Sequence, residues 1–170
     1  MSYNFKTKMF ALVCLIFFLA FYGCNREVGA GETAPDFSLK DLSGNMVSLK
    51  QYRGHIVLID FWATWCFPCR KAIPELISLQ NKYRDQKLVV LGISMDDPSQ
   101  VDEKNMLEFK ESIKINYPIL RATHKVIQDY FGNDQIAIPT MFVISREGEI
   151  AHKHVGFEQG AVERSIKGIL

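Results

Sequence analysis

Trp62-Ala63-Thr64-Trp65-Cys66-Phe67-Pro68-Cys69-Arg70 is the stretch whose reading decides the fold. The apolar run Ile56-Val57-Leu58-Ile59 leads into it, and a segment of helical character, Arg70 to Tyr83, leads out. The two thiols therefore sit where a buried strand turns into a helix. At a helix start the first N–H groups have no partner and the macrodipole is positive. Both effects favour a thiolate at Cys66 and lower its pKa. Cys69 follows about one helical turn later, within reach of a disulfide. A thiolate so placed attacks a disulfide, and the second thiol resolves the mixed disulfide.

Other uses of two such cysteines fit less well. Structural zinc needs four protein ligands, and the remaining cysteines, Cys14 and Cys24, lie in or beside an N-terminal apolar segment. Haem attachment needs a histidine directly after the second cysteine, where this chain has Arg70. A purely structural disulfide closing so short a loop would constrain the unfolded chain little. No metal and no organic cofactor is required.

Asp60-Phe61-Trp62-Ala63-x-Trp65-Cys66-x-Pro68-Cys69 resembles the thioredoxin active-site segment almost position by position. Thr64 and Phe67 make it most similar to the membrane-anchored, extracytoplasmic ResA/TlpA-type branch. The resemblance spans about residues 30–170. It implies an α/β thioredoxin-like fold: a central mixed β-sheet flanked by helices, with an N-terminal β-hairpin extension and a helical insert. It implies Cys66 as nucleophile, Cys69 as resolving thiol and Asp60 as the buried acid exchanging a proton with Cys69. Asp60 interrupts a strand apolar on both faces, so burial should raise its pKa. Ile138-Pro139-Thr140 is the second signature, 70 residues beyond Cys69. In the family it carries a cis peptide bond facing the cysteines and keeps a backbone edge open for a substrate strand. Trp65, Phe67, Pro68, Ile138 and Pro139 are thus the expected docking residues, with Trp65 and Phe67 flanking an exposed sulfur. ResA-like proteins often carry a Glu three residues after the second cysteine; here that residue is Ala72.

The chain has 170 residues, 48% of them apolar, so a packed core is expected and global disorder is not. Residues 1–23 carry Lys6 and Lys8 and no acid, leaving 18 basic and 19 acidic residues, a net of −1. Such balance argues against a nucleic-acid partner. The uncharged run Met9 to Tyr22 is 14 residues, short for a membrane span and suited to a secretory signal. Phe21-Tyr22-Gly23-Cys24 resembles a lipobox, departing from it at Phe21 and Tyr22. Lipidation at Cys24, an uncleaved signal-anchor and cleavage elsewhere all stay open. Each exports the domain, placing it in a bacterial cell envelope, facing the periplasm or the outside of the cytoplasmic membrane. The expected organisation is a targeting segment over 1–23, a tether over 24–33 and a thioredoxin-like domain over 34–170.

Within that domain Leu42-Ser43-Gly44-Asn45 is a turn signal and Met46 to Leu49 a short strand. Leu49 to Gly54 reads as a short helix or turn, and Ile56 to Trp62 and Leu88 to Ser94 as central strands. Pro74 should kink the helix after Cys69. Met95-Asp96-Asp97-Pro98 reads as a solvated turn with a helix cap. Helices are expected over Val101–Ile115, Thr123–Phe131 and Gln159–Leu170. His152 and His154 share one face of a strand and read as exposed. Gly156 is expected to allow close approach to the active site.

The functional expectation is reduction of protein disulfides, with cytochrome c maturation one setting for it. The partners implied are a disulfide-containing protein and a membrane dithiol donor. A disulfide-introducing oxidase and a redox-independent lipoprotein binding module are the alternatives. A peroxiredoxin shares the Ala34-Pro35-Asp36-Phe37 opening but needs Thr or Ser three residues before its reactive cysteine. Neither Cys66 nor Cys69 has one.

Overall fold

A computed structural model describes residues 31–170. The expected targeting segment 1–23, Cys24 and most of the expected tether lie outside the described residues. Gly31 to Thr33, the end of that tether, are already bonded to the domain. Ile150 N–H donates to the Glu32 carbonyl at 2.8 Å, and Thr33 bridges Glu149.

Five strands form the mixed sheet: β3 (Ile56–Trp62), β4 (Leu88–Ser94), β5 (Ile119–Arg121), β6 (Thr140–Ile144) and β7 (Ile150–Val155). Their order is β5-β4-β3-β6-β7, with β3, β4 and β5 parallel and β6 and β7 antiparallel to their neighbours. β1 (Ser38–Lys40) and β2 (Met46–Ser48) form a separate antiparallel hairpin. The helices are α1 (Phe67–Lys82), α2 (Glu103–Ser112), α3 (His124–Phe131) and α4 (Ala161–Lys167). The expected α/β fold with its hairpin extension is therefore present. The stretch between β4 and β5 holds α2.

Alternation along β3 divides the core. Ile56, Leu58 and Trp62 face a cluster with Cys69, Ala72, Ile73, Leu76 and Leu79 of α1, Met106 of α2 and Val162 and Ile166 of α4. Val57, Ile59 and Phe61 face the hairpin residues Phe37, Leu39 and Val47 and the α3 residues Val126, Tyr130 and Phe131. Both faces being covered, all seven β3 residues are buried, which is why the strand reads as an apolar run broken only by Asp60.

Helix bounds run shorter than expected for α2 and α4, because end residues leave the apolar face and cap instead. Asp102 accepts from Asn105 N–H, and Gly160 precedes α4 at φ +77°. Thr123, expected as the first helical residue, is instead the N-cap of α3, and Gly132 is its C-cap. α1 begins at Phe67, three residues before the helical segment read from the sequence, since the CxxC itself forms its first turn. It continues through Pro74, which leaves the Arg70 carbonyl without its usual donor.

Phe61 anchors the second face. Its ring lies 5.0 Å from Phe131, 5.3 Å from Tyr130 and 5.9 Å from Phe142, centroid to centroid. Phe61→Ala empties the centre of this cluster. It is expected to lower the unfolding free energy by about 3–5 kcal/mol, read as a lower urea midpoint at unchanged slope.

Candidate active site

The site is built where β3 ends. Met95 N–H donates to the Trp62 carbonyl at 2.8 Å, closing the end of β3 against the segment after β4. Ala63 to Cys66 then make a turn, with Cys66 N–H on the Ala63 carbonyl at 3.2 Å. Cys66 is the N-cap of α1, in extended backbone, and its Sγ accepts the Cys69 N–H at 3.2 Å. A side chain accepting an otherwise orphaned helix N–H is normally an oxygen. Here a sulfur does it, and a thiolate would do it better than a thiol.

Cys66 and Cys69 are joined as a disulfide, S–S 1.98 Å, with Cα atoms 5.3 Å apart. The Cys66 residue is only 4% exposed. This corrects the expectation of an exposed sulfur flanked by aromatic rings. The sulfur is directed inward to the α1 start and lies 3.6 Å from the Ile138 carbonyl oxygen. The rings of Trp65 and Phe67, 71% and 66% exposed, project outward on either side in sequence. Pro68 is exposed in the first turn of α1. The Ile138–Pro139 peptide is cis. Pro139 is buried, and its carbonyl accepts from Gly156 N–H at 2.7 Å. Gly156 sits at φ +81° with open space where a Cβ would be. Its glycine is required by backbone conformation, not by the close approach expected.

Asp60 is completely buried and pairs with Gly92 on one side and Met141 on the other. Neither carboxylate oxygen has a hydrogen-bond partner. Burial pushes its pKa from the ordinary 3.8 to about 7. By alternation it faces the same side as Trp62, the side occupied by α1 and Cys69.

Asp96 is the residue that sequence reading missed. The expected solvated turn holds only for Asp97; Asp96 is buried. Its carboxylate accepts from Thr64 N–H at 3.0 Å, Thr64 O–H at 2.7 Å and Ser94 O–H at 2.9 Å. Three donors offset the cost of burying it. The acid two residues past β4 thereby fixes the turn two residues before Cys66. A threonine inside the active-site motif and an acid just past the parallel neighbouring strand were the available signal, but their pairing is 32 residues apart.

Other expected residues stand apart from the site. His152 is exposed as read, whereas His154 is half-buried with Nε2 3.0 Å from Ser165 Oγ. Among the described residues no three His, Cys, Asp or Glu side chains converge as metal ligands. Ala72 is fully buried, and Glu75 accepts the Gly160 N–H with both oxygens, at 3.1 and 3.0 Å, tying α1 to the start of α4.

A disulfide at the start of a helix, opposite an Ile-Pro cis bond and above a buried acid, on this sheet order, is the arrangement of a thioredoxin-like thiol–disulfide oxidoreductase. The AhpC/TSA family matches residues 30–153, and the chain belongs to it. It is 36% identical over 158 residues to the thioredoxin-like protein YneN of Bacillus subtilis, covering 88% of this chain and 90% of that one. It is 31% identical over 150 residues to the thiol-disulfide oxidoreductase ResA of Geobacillus kaustophilus, covering 88% and 83%. Among solved structures, a thiol:disulfide interchange protein of the thioredoxin family from Chlorobium tepidum superposes with a TM-score of 0.73. It is 27% identical, over 82% of this chain and 96% of that one.

Two predictions follow from the buried acids. For Asp60 the folded pKa is raised, so the folded chain keeps a proton that the unfolded chain releases between about pH 4 and pH 7. Stability therefore falls as pH rises through that window, by on the order of 4 kcal/mol in all. Asp60→Asn should remove this dependence, leaving the variant more stable than wild type at pH 8 and close to it near pH 4, by urea unfolding at each pH. Asp96→Ala strands three donors and should destabilise by about 3 kcal/mol, against about 1 kcal/mol for Thr64→Val, which loses one.

Proposed function

We propose that this chain is an extracytoplasmic, membrane-tethered reductase of protein disulfides. The observation that carries the reading is the surface around the redox pair. Trp65, Phe67, Ile136 and Val155 are among the few large apolar side chains left exposed. Trp65 and Phe67 flank Cys66 in sequence. Ile136 lies two residues before Ile138, whose carbonyl meets the Cys66 sulfur. Val155 is paired with Thr140, next to Pro139. Four such residues at one end of the sheet suit an unfolded or extended polypeptide better than a small polar disulfide. A cleft of about 330 Å³ beside Phe67, lined by Arg70, Lys71, Ile73, Pro74 and Ile113, adds room for a substrate side chain.

In the reduced protein the Cys66 thiolate attacks a substrate sulfur. The substrate disulfide breaks, one substrate thiolate leaves, and a mixed disulfide forms. Cys69 gives its proton to Asp60 and attacks Cys66 Sγ. The second substrate thiolate leaves, and the Cys66–Cys69 disulfide seen here is the product. Asp60 is suited to this because its burial holds its pKa near 7, where it both accepts and returns a proton at neutral pH. The Ile138 carbonyl borders the sulfur, and Ile138 and Pro139 line the docking edge. The two electrons are restored by a membrane dithiol donor. Cys24, by lipidation or within a signal-anchor, supplies the tether. The substrates are proteins with disulfides outside the cytoplasm, apocytochrome c among them.

In an insulin assay with dithiothreitol, wild type should accelerate reduction. Cys66→Ser should abolish the acceleration, and Cys69→Ser should trap a mixed disulfide. A redox-buffer titration should place the pair near about −270 mV. A value near about −120 mV would make the chain an oxidant instead.

A further inference from the structure

Both carboxylate oxygens of Asp60, the indole Nε1 of Trp62 and the hydroxyl of Tyr117 are buried without a hydrogen-bond partner. They are not scattered. Asp60 and Trp62 are alternate residues of β3 and share its α1 face. Gly92 is the cross-strand partner of Asp60. A Cβ at Gly92 would lie 3.0 Å from Trp62 Nε1 and 3.2 Å from Tyr117 Cε2. The space a side chain at position 92 would fill is therefore bordered by these two rings. Gly92 N–H also donates to the Pro118 carbonyl at 3.0 Å, which holds Tyr117 at this level of the sheet. The three groups are chemically complementary: an N–H and an O–H that can only profit from an acceptor, and a carboxylate that lacks donors. Buried polar groups in native proteins find partners, from protein or from internal water. Burial, and after it the negative charge of Asp60, holds the Tyr117 hydroxyl well above its ordinary pKa, so it stays a donor at every working pH.

Of the other groups on this face, all but Arg121 have their own partners or carry no charge. Beside Asp60, β6 brings Met141, and in register with it β7 brings His154, which is engaged with Ser165. Arg121 of β5, in the row of Ser94 and Trp62, donates through Nη2 to the Val101 carbonyl at 2.6 Å and lies 3.7 Å from Glu103, which its charge faces; its Nε and Nη1 are buried without a hydrogen-bond partner. Tyr83 of the same cluster donates to Glu163 at 2.7 Å. α1 brings the disulfide-linked cysteines, and α2 and α4 bring Met106, Phe109, Val162 and Ile166.

We propose that Tyr117 and Trp62 are positioning residues for proton exchange at Asp60, their O–H and N–H donating to its carboxylate through one internal water. The proposal rests on the reading of Asp60 as the group that takes the Cys69 proton. In that step the S–H bond of Cys69 breaks and the proton passes to a carboxylate oxygen. The thiolate's electron pair then forms the bond to Cys66 Sγ as the bond to the substrate sulfur breaks. Donors at the carboxylate favour its charged form and so make it a weaker base, one able to give the proton back.

The test is carbon-13 NMR of the full chain, following the Asp60 carboxyl carbon and the Tyr117 Cζ from pH 5 to 9. Asp60→Asn and Tyr117→Phe assign the two signals. In wild type the Tyr117 signal should move with the Asp60 midpoint. In Tyr117→Phe that midpoint should rise by about one pH unit, with the alkaline limb of insulin reduction following it. A Tyr117 signal that stays silent through the Asp60 titration overturns the proposal, and needs no variant to fold. So does an unmoved Asp60 midpoint in Tyr117→Phe with native near-UV circular dichroism. If the two signals do move together but Asp60→Asn resolves the mixed disulfide at the wild-type rate, it is the underlying reading of Asp60 that fails.

Discussion

β3 runs through the middle of the sheet with a parallel neighbour on one side and an antiparallel one on the other, and none of its seven residues reaches solvent. The rest of the structure depends on this strand. Its odd and even residues define the two cores, and its end delivers the chain into the Ala63–Cys66 turn and the first turn of α1. The close junction between strand and helix puts Cys66 at the one position of α1 where a side chain can take up a free backbone N–H.

The same burial creates the electrostatic tension of the site. A carboxyl group in the centre of such a strand has no water to stabilise its charge, and Asp60 responds by holding its proton to about pH 7. Asp96 solves the opposite problem. It is also buried, but three donors surround it, and its negative charge is used to fix the active-site turn. Asp60 within β3 and Asp96 just past its parallel neighbour β4 thus differ in what surrounds them, and that difference separates an acid that holds its proton from a clamp.

Much of this could be read from residue order. The bounds of β3 and β4 follow from their apolar runs because both faces of each strand are covered. The redox pair follows from two cysteines at a strand-to-helix change, and Pro139 from its place before an apolar strand. The inward turn of the Cys66 sulfur was not legible, since it depends on Ile138, 72 residues away. The role of Asp96 was hidden for the same reason. Next to Asp97 and Pro98 it looks like half of a polar turn, and only the parallel pairing of β3 with β4 brings it to Thr64. Tyr117 carried no local signal either; its ring is defined by the missing side chain of Gly92 on a neighbouring strand.

The amino-acid sequence by itself determined the elements and the chemistry they carry: buried strands, a pair of cysteines at a helix start, and an acid where none is comfortable. These are properties of neighbours along the chain, set by periodicity, helix-end electrostatics and the cost of burying charge. The tertiary structure alone decided which distant groups share an environment: Ile138 against Cys66, Asp96 beneath Thr64, Tyr117 and Trp62 beside Gly92. Those juxtapositions arise from sheet order and register, where one strand's side chains are set against another's by hydrogen bonds that no local pattern encodes.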